Sequence, residues 1–465
     1  MRRRPLVFLL AGEPSGDAIG AKLIAALRRE HTAGPLRFAG VGGPKMVAAG
    51  LPASLFPMSD LSVMGFAELV PALPRLAVRF VQTLAATRAM APDVVVGIDS
   101  KGFNLRVLRH LASGRSVAAG HPPSPALVQY VAPSAWAFAD APRRAAQLAE
   151  TVGLDHLLVL LPFEVPLYAS AGIPCTFVGH PALEADAPQT VAEERSATAA
   201  RSAERGSALC LLPGSRRHEI DANLPHMLSA AERIAAELDG GGGSSSSSGA
   251  AALDRLLLPT PPSLRGAVEA HLRARPASSL PVIVLDDTKR HSAYEASCLA
   301  LACCGTTTVE LVRAGVPQVA VYRSSRLTSW LVRNILRPAT PYATLPNILS
   351  QRRQAGVPSG DVQPSSGVSG NAPPAGAADA PGEPSSRIPE LIFEACTAEA
   401  IAREALHLLR NPVKAHEQVK VAVEAIDELV TRDAQGQAIS PSTVAAHAIL
   451  KLLPPGPSDE GCRKP

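Results

Sequence analysis

Leu6-Val7-Phe8-Leu9-Leu10-Ala11 is an unbroken apolar run that passes at once into Gly12-Glu13-Pro14-Ser15-Gly16-Asp17. A short apolar run, closed by a glycine turn and followed by helix-compatible sequence over about residues 18–29, reads as a buried parallel strand entering a helix. The opening Met1-Arg2-Arg3-Arg4 gives the run the look of a secretory leader, but the turn follows with no small-residue cleavage site, so a first strand is expected. The pattern returns at Val94 to Ile98, Leu157 to Leu161 and Leu209 to Leu212. Strands alternating with amphipathic helices predict a doubly wound α/β architecture, and after about residue 200 the second half repeats the style of the first.

A chain of 465 residues, 46% hydrophobic and 18% charged, exceeds one core, since single cores rarely grow beyond about 250 to 300 residues. The sequence predicts an N-terminal domain over 1–183, a linker over 184–207 rich in Ala, Glu, Ser and Arg, a C-terminal domain over 208–455 and a tail over 456–465. Two stretches in the second half, Gly240 to Gly249 (GGGGSSSSSG) and Arg352 to Ser386, carry almost no large apolar side chain to offset ordering entropy, and both read as disordered surface insertions. The net charge of +4 is scattered, which excludes a nucleic-acid stripe. Seven cysteines form an odd set without a C-x-x-C pair and read as reduced thiols, with neither zinc nor a disulfide framework. No run of roughly 18 apolar residues marks a membrane-spanning helix.

Several stretches can carry chemistry. Gly12 to Asp17 opens a helix, whose N-terminus favours anions, with Ser15 or Asp17 as a simple helix cap in the other reading. Asp99 ends the strand Val94 to Ile98, at the edge where open α/β sheets bind ligands, and suits a general base or a loop cap. Pro213-Gly214-Ser215-Arg216 follows another strand with backbone donors and a guanidinium fork fit for a diphosphate. Cys304-Gly305-Thr306 repeats the device, with Glu310 a turn later where it can meet ribose hydroxyls or simply face solvent. Between Phe66 and Val81 an apolar stripe including Phe66, Leu69 and Leu73, with Arg75 and Arg79 nearby, reads either as core or as a helix seated in a lipid monolayer; Pro71 and Pro74 are expected to interrupt the helix.

In order along the chain these motifs resemble the lipid-A-disaccharide synthase family. The resemblance rests on Ala11 to Asp17, Val41-Gly-Gly-Pro-Lys-Met46, Leu61 to Phe66, Pro92 to Asp99 with Phe103-Asn104, Tyr130 to Trp136 and Leu161-Pro-Phe-Glu164. It continues through Phe177 to Pro181, Leu212 to Arg216, Gly305 to Glu310, Leu345-Pro-Asn347 and Pro389-Glu390. It implies a GT-B architecture, two Rossmann-like domains facing across a cleft, the first taking the acceptor and the second the UDP-sugar. The implied reaction is inverting transfer of 2,3-diacylglucosamine from UDP (UDP-diacylglucosamine as donor) to 2,3-diacylglucosamine 1-phosphate (lipid X), with no cofactor and no metal. Asp99 matches the base and Glu13 a carboxylate at the first turn. Arg216, Glu310 and Asn347 match donor-site positions, beside Gly214, Ser215, Gly305 and Thr306; Ser15 and Tyr130 are candidate substrate contacts, Tyr130 with a core role as its alternative.

Where the family usually continues Ala-Pro-Asp-Phe-Asn after the base, this chain reads Ser100-Lys101-Gly102-Phe103-Asn104, and Cys304 stands where serine is common. A GT-B-like UDP-sugar epimerase and a degenerate UDP-sugar-binding homologue without turnover are the competing readings. The resemblance implies a peripheral membrane protein, on the cytoplasmic face in a bacterium, with the mitochondrion as the location in a eukaryote and a homodimer left open.

Overall fold

The computed structural model describes residues 3–61, 66–115, 124–184, 206–239, 253–275, 280–324, 329–330, 332, 338–354 and 387–454, and of residues 66–70 the backbone alone. The Gly240 to Gly249 tract, the 456–465 tail, residues 185–205 of the expected linker and 355–386 of the second insertion lie outside the described residues.

The chain forms two units. In the first, β1 (Leu6–Ala11), β2 (Arg37–Val41), β3 (Val94–Ile98), β4 (Ala126–Tyr130), β5 (His156–Val159) and β6 (Cys175–Phe177) make a parallel sheet in the order β2-β1-β3-β4-β5-β6. The side-chain period of two explains why β1 is apolar throughout. Val7, Leu9 and Ala11 pack on one face with Leu23 and Leu27 of the helix Pro14–Glu30, whereas Phe8 and Leu10 pack on the other with Val107 and Leu108 of the helix Lys101–Ser113.

In the second unit β7 (Ala208–Leu212), β8 (Arg255–Thr260), β9 (Val282–Asp286), β10 (Ser297–Cys303), β11 (Gln318–Tyr322) and β12 (Glu390–Ile392) are again parallel, in the order β12-β11-β10-β7-β8-β9. Leu209 and Leu211 face the helices Arg217–Asp239 and Ala398–Arg410, while Ala208, Cys210 and Leu212 face Tyr294 and Leu311.

One domain boundary differs from the expectation. The second unit ends at Glu428, and residues from Leu429 onward belong with the first, not with a C-terminal domain running to 455. Ala445, Ala446, Ala448 and Ile449 of the helix Pro441–Leu450 join the core formed by β1 and the helix Pro14–Glu30, and His447 Nε2 lies 2.8 Å from Glu30 Oε2. An apolar helix face does not name the sheet it covers, so sequence order assigned it to the nearer domain.

The helix Phe66–Met90 also differs, running unbroken through Pro71 and Pro74. Both prolines are exposed.

Candidate active site

In an open parallel sheet ligands gather beyond the strand C-termini where strand order reverses, which here lies between β1 and β3 in the first unit and between β7 and β10 in the second. The β1–β3 register sets Ala11 beside Ile98, so the two following turns leave the sheet together. They approach closely enough that a Cβ on Gly12 would stand 2.5 Å from Ser100 Oγ.

Asp99 has φ +56°, a left-handed conformation that non-glycine residues seldom adopt and that surrounding structure must hold. β4 supplies the hold. The Asp99 N–H donates to the Tyr130 carbonyl at 2.9 Å, and buried Gln129 Nε2 donates to the Asp99 carbonyl at 3.0 Å. Ser15 Oγ then donates to Asp99 Oδ2 at 2.7 Å, and Oδ1 accepts no hydrogen bond from any described residue. Ser15 therefore serves the carboxylate rather than capping its helix. Asp17 does not cap that helix either: buried, it accepts from the amides of Gly43 (2.9 Å), Lys45 (3.1 Å) and Met46 (2.9 Å) and so fixes the next helix, Pro44–Ala49.

Tyr130 contributes its carbonyl, because its ring is fully buried in the core; this places the side chain in packing instead of substrate contact. Gln129 was not singled out in the sequence, since a glutamine inside a strand carries no motif.

Lys101 Nζ donates to Ser134 Oγ at 2.9 Å. Burial pulls the ammonium's pKa below its ordinary value, against the carboxylates of Asp99, Glu164 and Glu13, which raise it. The Glu164 carboxyl is pushed up to about 8, chiefly by burial, although the Leu161 amide (3.1 Å), the Lys101 charge and the Trp136 indole favour ionisation. The Lys101 charge thus acts on both Asp99 and Glu164, where the family's usual pattern has a second carboxylate in the turn after the base.

In the second unit Gly214 follows β7 with φ +136°, and a Cβ there would lie 2.4 Å from Glu219 Cβ. Glu219 folds over the turn, accepting from the Ser215 N–H at 2.8 Å through Oε2 and from Arg216 Nη1 at 2.8 Å through Oε1. The donors read from the sequence for a diphosphate are therefore gathered around one anion in the folded chain. Beyond β10, Gly305 and Thr306 are exposed at the start of the helix Thr306–Arg313, while Thr308 turns inward and donates to the Gly305 carbonyl at 2.7 Å. Glu310 is held by Arg290 and Tyr294.

Asn347 is placed differently from the other donor-site candidates. It is buried, its Nδ2 donates to the Ile388 carbonyl (2.9 Å) and Glu390 Oε1 (2.8 Å), and its Oδ1 accepts from the Ile388 N–H (3.1 Å). Glu390 also accepts from the amides of Ala343 and Thr344, and burial raises its pKa against those donors. With donor and acceptor both used internally, Asn347 ties its helix to the start of β12.

Of the apolar stripe, the side chains of Phe66 and Leu69 lie outside the described residues. Leu73, Val78 and Val81 are 51%, 54% and 63% exposed, whereas Ala72 and Leu84 are buried and Phe80 stacks edge-on against Phe103. Arg79 is committed to Asp60, at 2.7 Å, while Arg75 is exposed.

Two doubly wound parallel units with polar groups at each switch point are the architecture of GT-B glycosyltransferases. Along 98% of its length the chain is similar to the glycotransferase of kitacinnamycin (TM-score 0.50, 16% identity, all of that chain) and to an S. aureus MnaA–UDP co-structure (TM-score 0.50, 12% identity, 99% of that chain), a likeness of fold.

Sequence resolves the family. The lipid-A-disaccharide synthase of Rhodospirillum centenum is 36% identical over 448 residues, 96% of this chain and 94% of its own. That of Pseudomonas syringae pv. tomato is 33% identical over 456 residues, covering 96% and 97%. With the family's sequence model matching residues 7–356, the chain belongs to the lipid-A-disaccharide synthetase family and is a glycosyltransferase.

Proposed function

We propose that this glycosyltransferase makes the lipid A disaccharide, transferring 2,3-diacylglucosamine from UDP to the 6-hydroxyl of 2,3-diacylglucosamine 1-phosphate with inversion. The observation that carries the reading is the Asp99 carboxylate at the β1–β3 switch point, with Oδ2 fixed by Ser15 and Oδ1 left to accept a proton. The acceptor hydroxyl gives its proton to Asp99 as its oxygen bonds to the donor's anomeric carbon, and the bond from that carbon to the diphosphate breaks with UDP as leaving group. Glu13 borders the same turn. Gly214, Ser215 and Arg216 receive the diphosphate, with Glu219 yielding the donors it holds in the free chain, and Gly305 and Thr306 add the amides and hydroxyl of a helix start. The family match favours this over a UDP-sugar epimerase.

Both proposed substrates carry acyl chains, which places the enzyme at a membrane surface. Among the described residues no helix is long and apolar enough to cross a membrane. The exposed apolar side chains of Leu73, Val78 and Val81 on one helix with the exposed Arg75 have the chemistry of an interfacial contact.

Asp99→Asn is expected to lower turnover at least about a hundredfold and leave UDP affinity nearly unchanged. Arg216→Ala is expected to weaken UDP binding as well. Near-normal turnover in Asp99→Asn would remove that residue from the chemistry, and a wild-type chain that binds UDP but releases none from the two acylated sugars would be a binding homologue.

A further inference from the structure

Lys101 has no part in the proposed chemistry, yet it stands two positions beyond Asp99 at the start of the helix Lys101–Ser113. Its side chain is partly buried, and the ammonium donates to Ser134 Oγ at 2.9 Å, its one hydrogen bond among the described residues. The Ser134 hydroxyl is available for this because it does not cap the short turn Ala135–Ala137 that follows it. Two of the three ammonium N–H groups remain for another acceptor. Asp99, Glu164 and Glu13 are the carboxylates whose charges reach the ammonium. Of these Glu164 is buried, with Oε2 accepting from the Leu161 amide at 3.1 Å.

The turn has also lost the acid that the family's usual Ala-Pro-Asp sequence carries after the base. Gly102 stands there, exposed, where an added Cβ would meet Arg106 Nη1 at 3.6 Å, an ordinary contact distance. One carboxylate fewer and one ammonium more leave Asp99 to Gly102 without net charge. An anion can enter such a turn beside Asp99, where two carboxylates would repel it.

The acceptor of the proposed reaction brings such an anion. In a glucosamine 1-phosphate the carbon bearing the hydroxymethyl group and the carbon bearing the phosphate both bond to the ring oxygen. With the 6-hydroxyl at Asp99, the phosphate therefore falls within reach of a side chain beside Asp99. A lysine meets phosphate as a compact point charge, and partial withdrawal from water strengthens the attraction.

We propose that Lys101 is a specificity-determining contact for the acceptor, its ammonium taking the anomeric phosphate while Ser134 holds the side chain in place. The inference rests on the reading of Asp99 as the base toward a phosphorylated acceptor. If Lys101 only shapes the turn that carries Asp99, its loss slows every acceptor alike. If it meets the phosphate, its loss falls on the acceptor that carries one.

The test compares kcat/KM for 2,3-diacylglucosamine 1-phosphate and for the same sugar without its phosphate, using the full chain. Wild type, Lys101→Met, Lys101→Arg and Ser134→Ala are assayed, with UDP calorimetry and melting curves on the same samples. The wild type is expected to prefer the phosphorylated acceptor by about thirtyfold or more, within the range of one hydrogen bond between charged groups. Lys101→Met should cut that preference by about tenfold or more, the loss appearing in the acceptor KM and not in UDP affinity. Lys101→Arg, which keeps the charge, should hold the preference to within about threefold of the wild type. Ser134→Ala should lower it by about threefold and keeps the test in hand should Lys101→Met unfold. An unchanged preference in Lys101→Met, or in Ser134→Ala if Lys101→Met does not fold, would overturn the contact. So would an equal loss on both acceptors. Equal use of the two acceptors by the wild type would overturn the phosphate assignment while leaving the transfer reaction standing. A folded wild type that binds UDP but turns over neither acceptor would instead overturn the reading on which the inference rests.

Discussion

Ser15, Asn347 and His180 each lie in a family motif, and their partners separate their roles. Ser15 spends its hydroxyl on Asp99, and Asn347 spends both amide atoms on β12 and its flank. His180 is buried, with Nδ1 accepting from the Ala182 N–H at 3.2 Å, and desolvation pushes its pKa down to about 4. Its folded pKa lies below the unfolded value, so the unfolded chain binds more protons between about pH 6.5 and pH 4. Stability from the neutral ring is present above pH 6.5 and lost as pH falls toward 4. In His180→Asn, which keeps an acceptor but does not titrate, the stability lost between pH 7 and 4.5 should be smaller than in the wild type by about 2 kcal/mol. Equal losses in urea melts at the two pH values would show that the ring accepts a proton where it stands.

At the scale of elements, the helix Phe66–Met90 carries apolar side chains in two environments, some covered and some exposed. Ala72 and Leu84 are buried, Phe80 packs edge-on against Phe103 and His110 of the helix Lys101–Ser113, and the buried Thr83 and Thr87 return their hydroxyls to the helix's own carbonyls. Leu73, Val78 and Val81 face outward. Changing those three to serine is expected to lower binding to vesicles rich in anionic lipid by about tenfold or more, because each apolar side chain contributes about 1.5 to 3 kcal/mol when fully buried. The melting temperature should move by no more than a few degrees. Unchanged vesicle binding would remove this face from the membrane contact. Around the helix Leu73 falls about 20° from Phe80 and from Leu84, yet it is exposed where they are covered, so periodicity alone does not tell a covered turn from a bare one.

At the scale of the whole chain, the helix Pro441–Leu450 follows the second unit in sequence and packs in the first. Cutting the chain after Ile439 removes Ala445, Ala446, Ala448 and Ile449 from that core, a loss on the order of 4 kcal/mol by apolar area. Hydrogen exchange should then rise in peptides from Pro14–Glu30 and β1 while those from β7 and β10 stay protected. Equal loss of protection in both units would contradict the division.

The sequence by itself determined the strands, the two doubly wound units and the turns at their ends, because each is a local matter. Leu6–Ala11 and Val94–Ile98 are buried on both faces and therefore apolar throughout, and Gly12 and Gly214 stand where a side chain has no room. It also placed Asp99 at a strand end and, through the order of its motifs, pointed to the family. Only the tertiary structure decided what each polar group does there. Ser15 meets Asp99 across 84 positions, Asn347 meets Ile388 across 41, and the final helix reaches back to the first. A hydrogen bond between distant positions leaves no period and no spacing in the sequence, because the partner is fixed by the register of parallel strands and by which sheet face a helix covers.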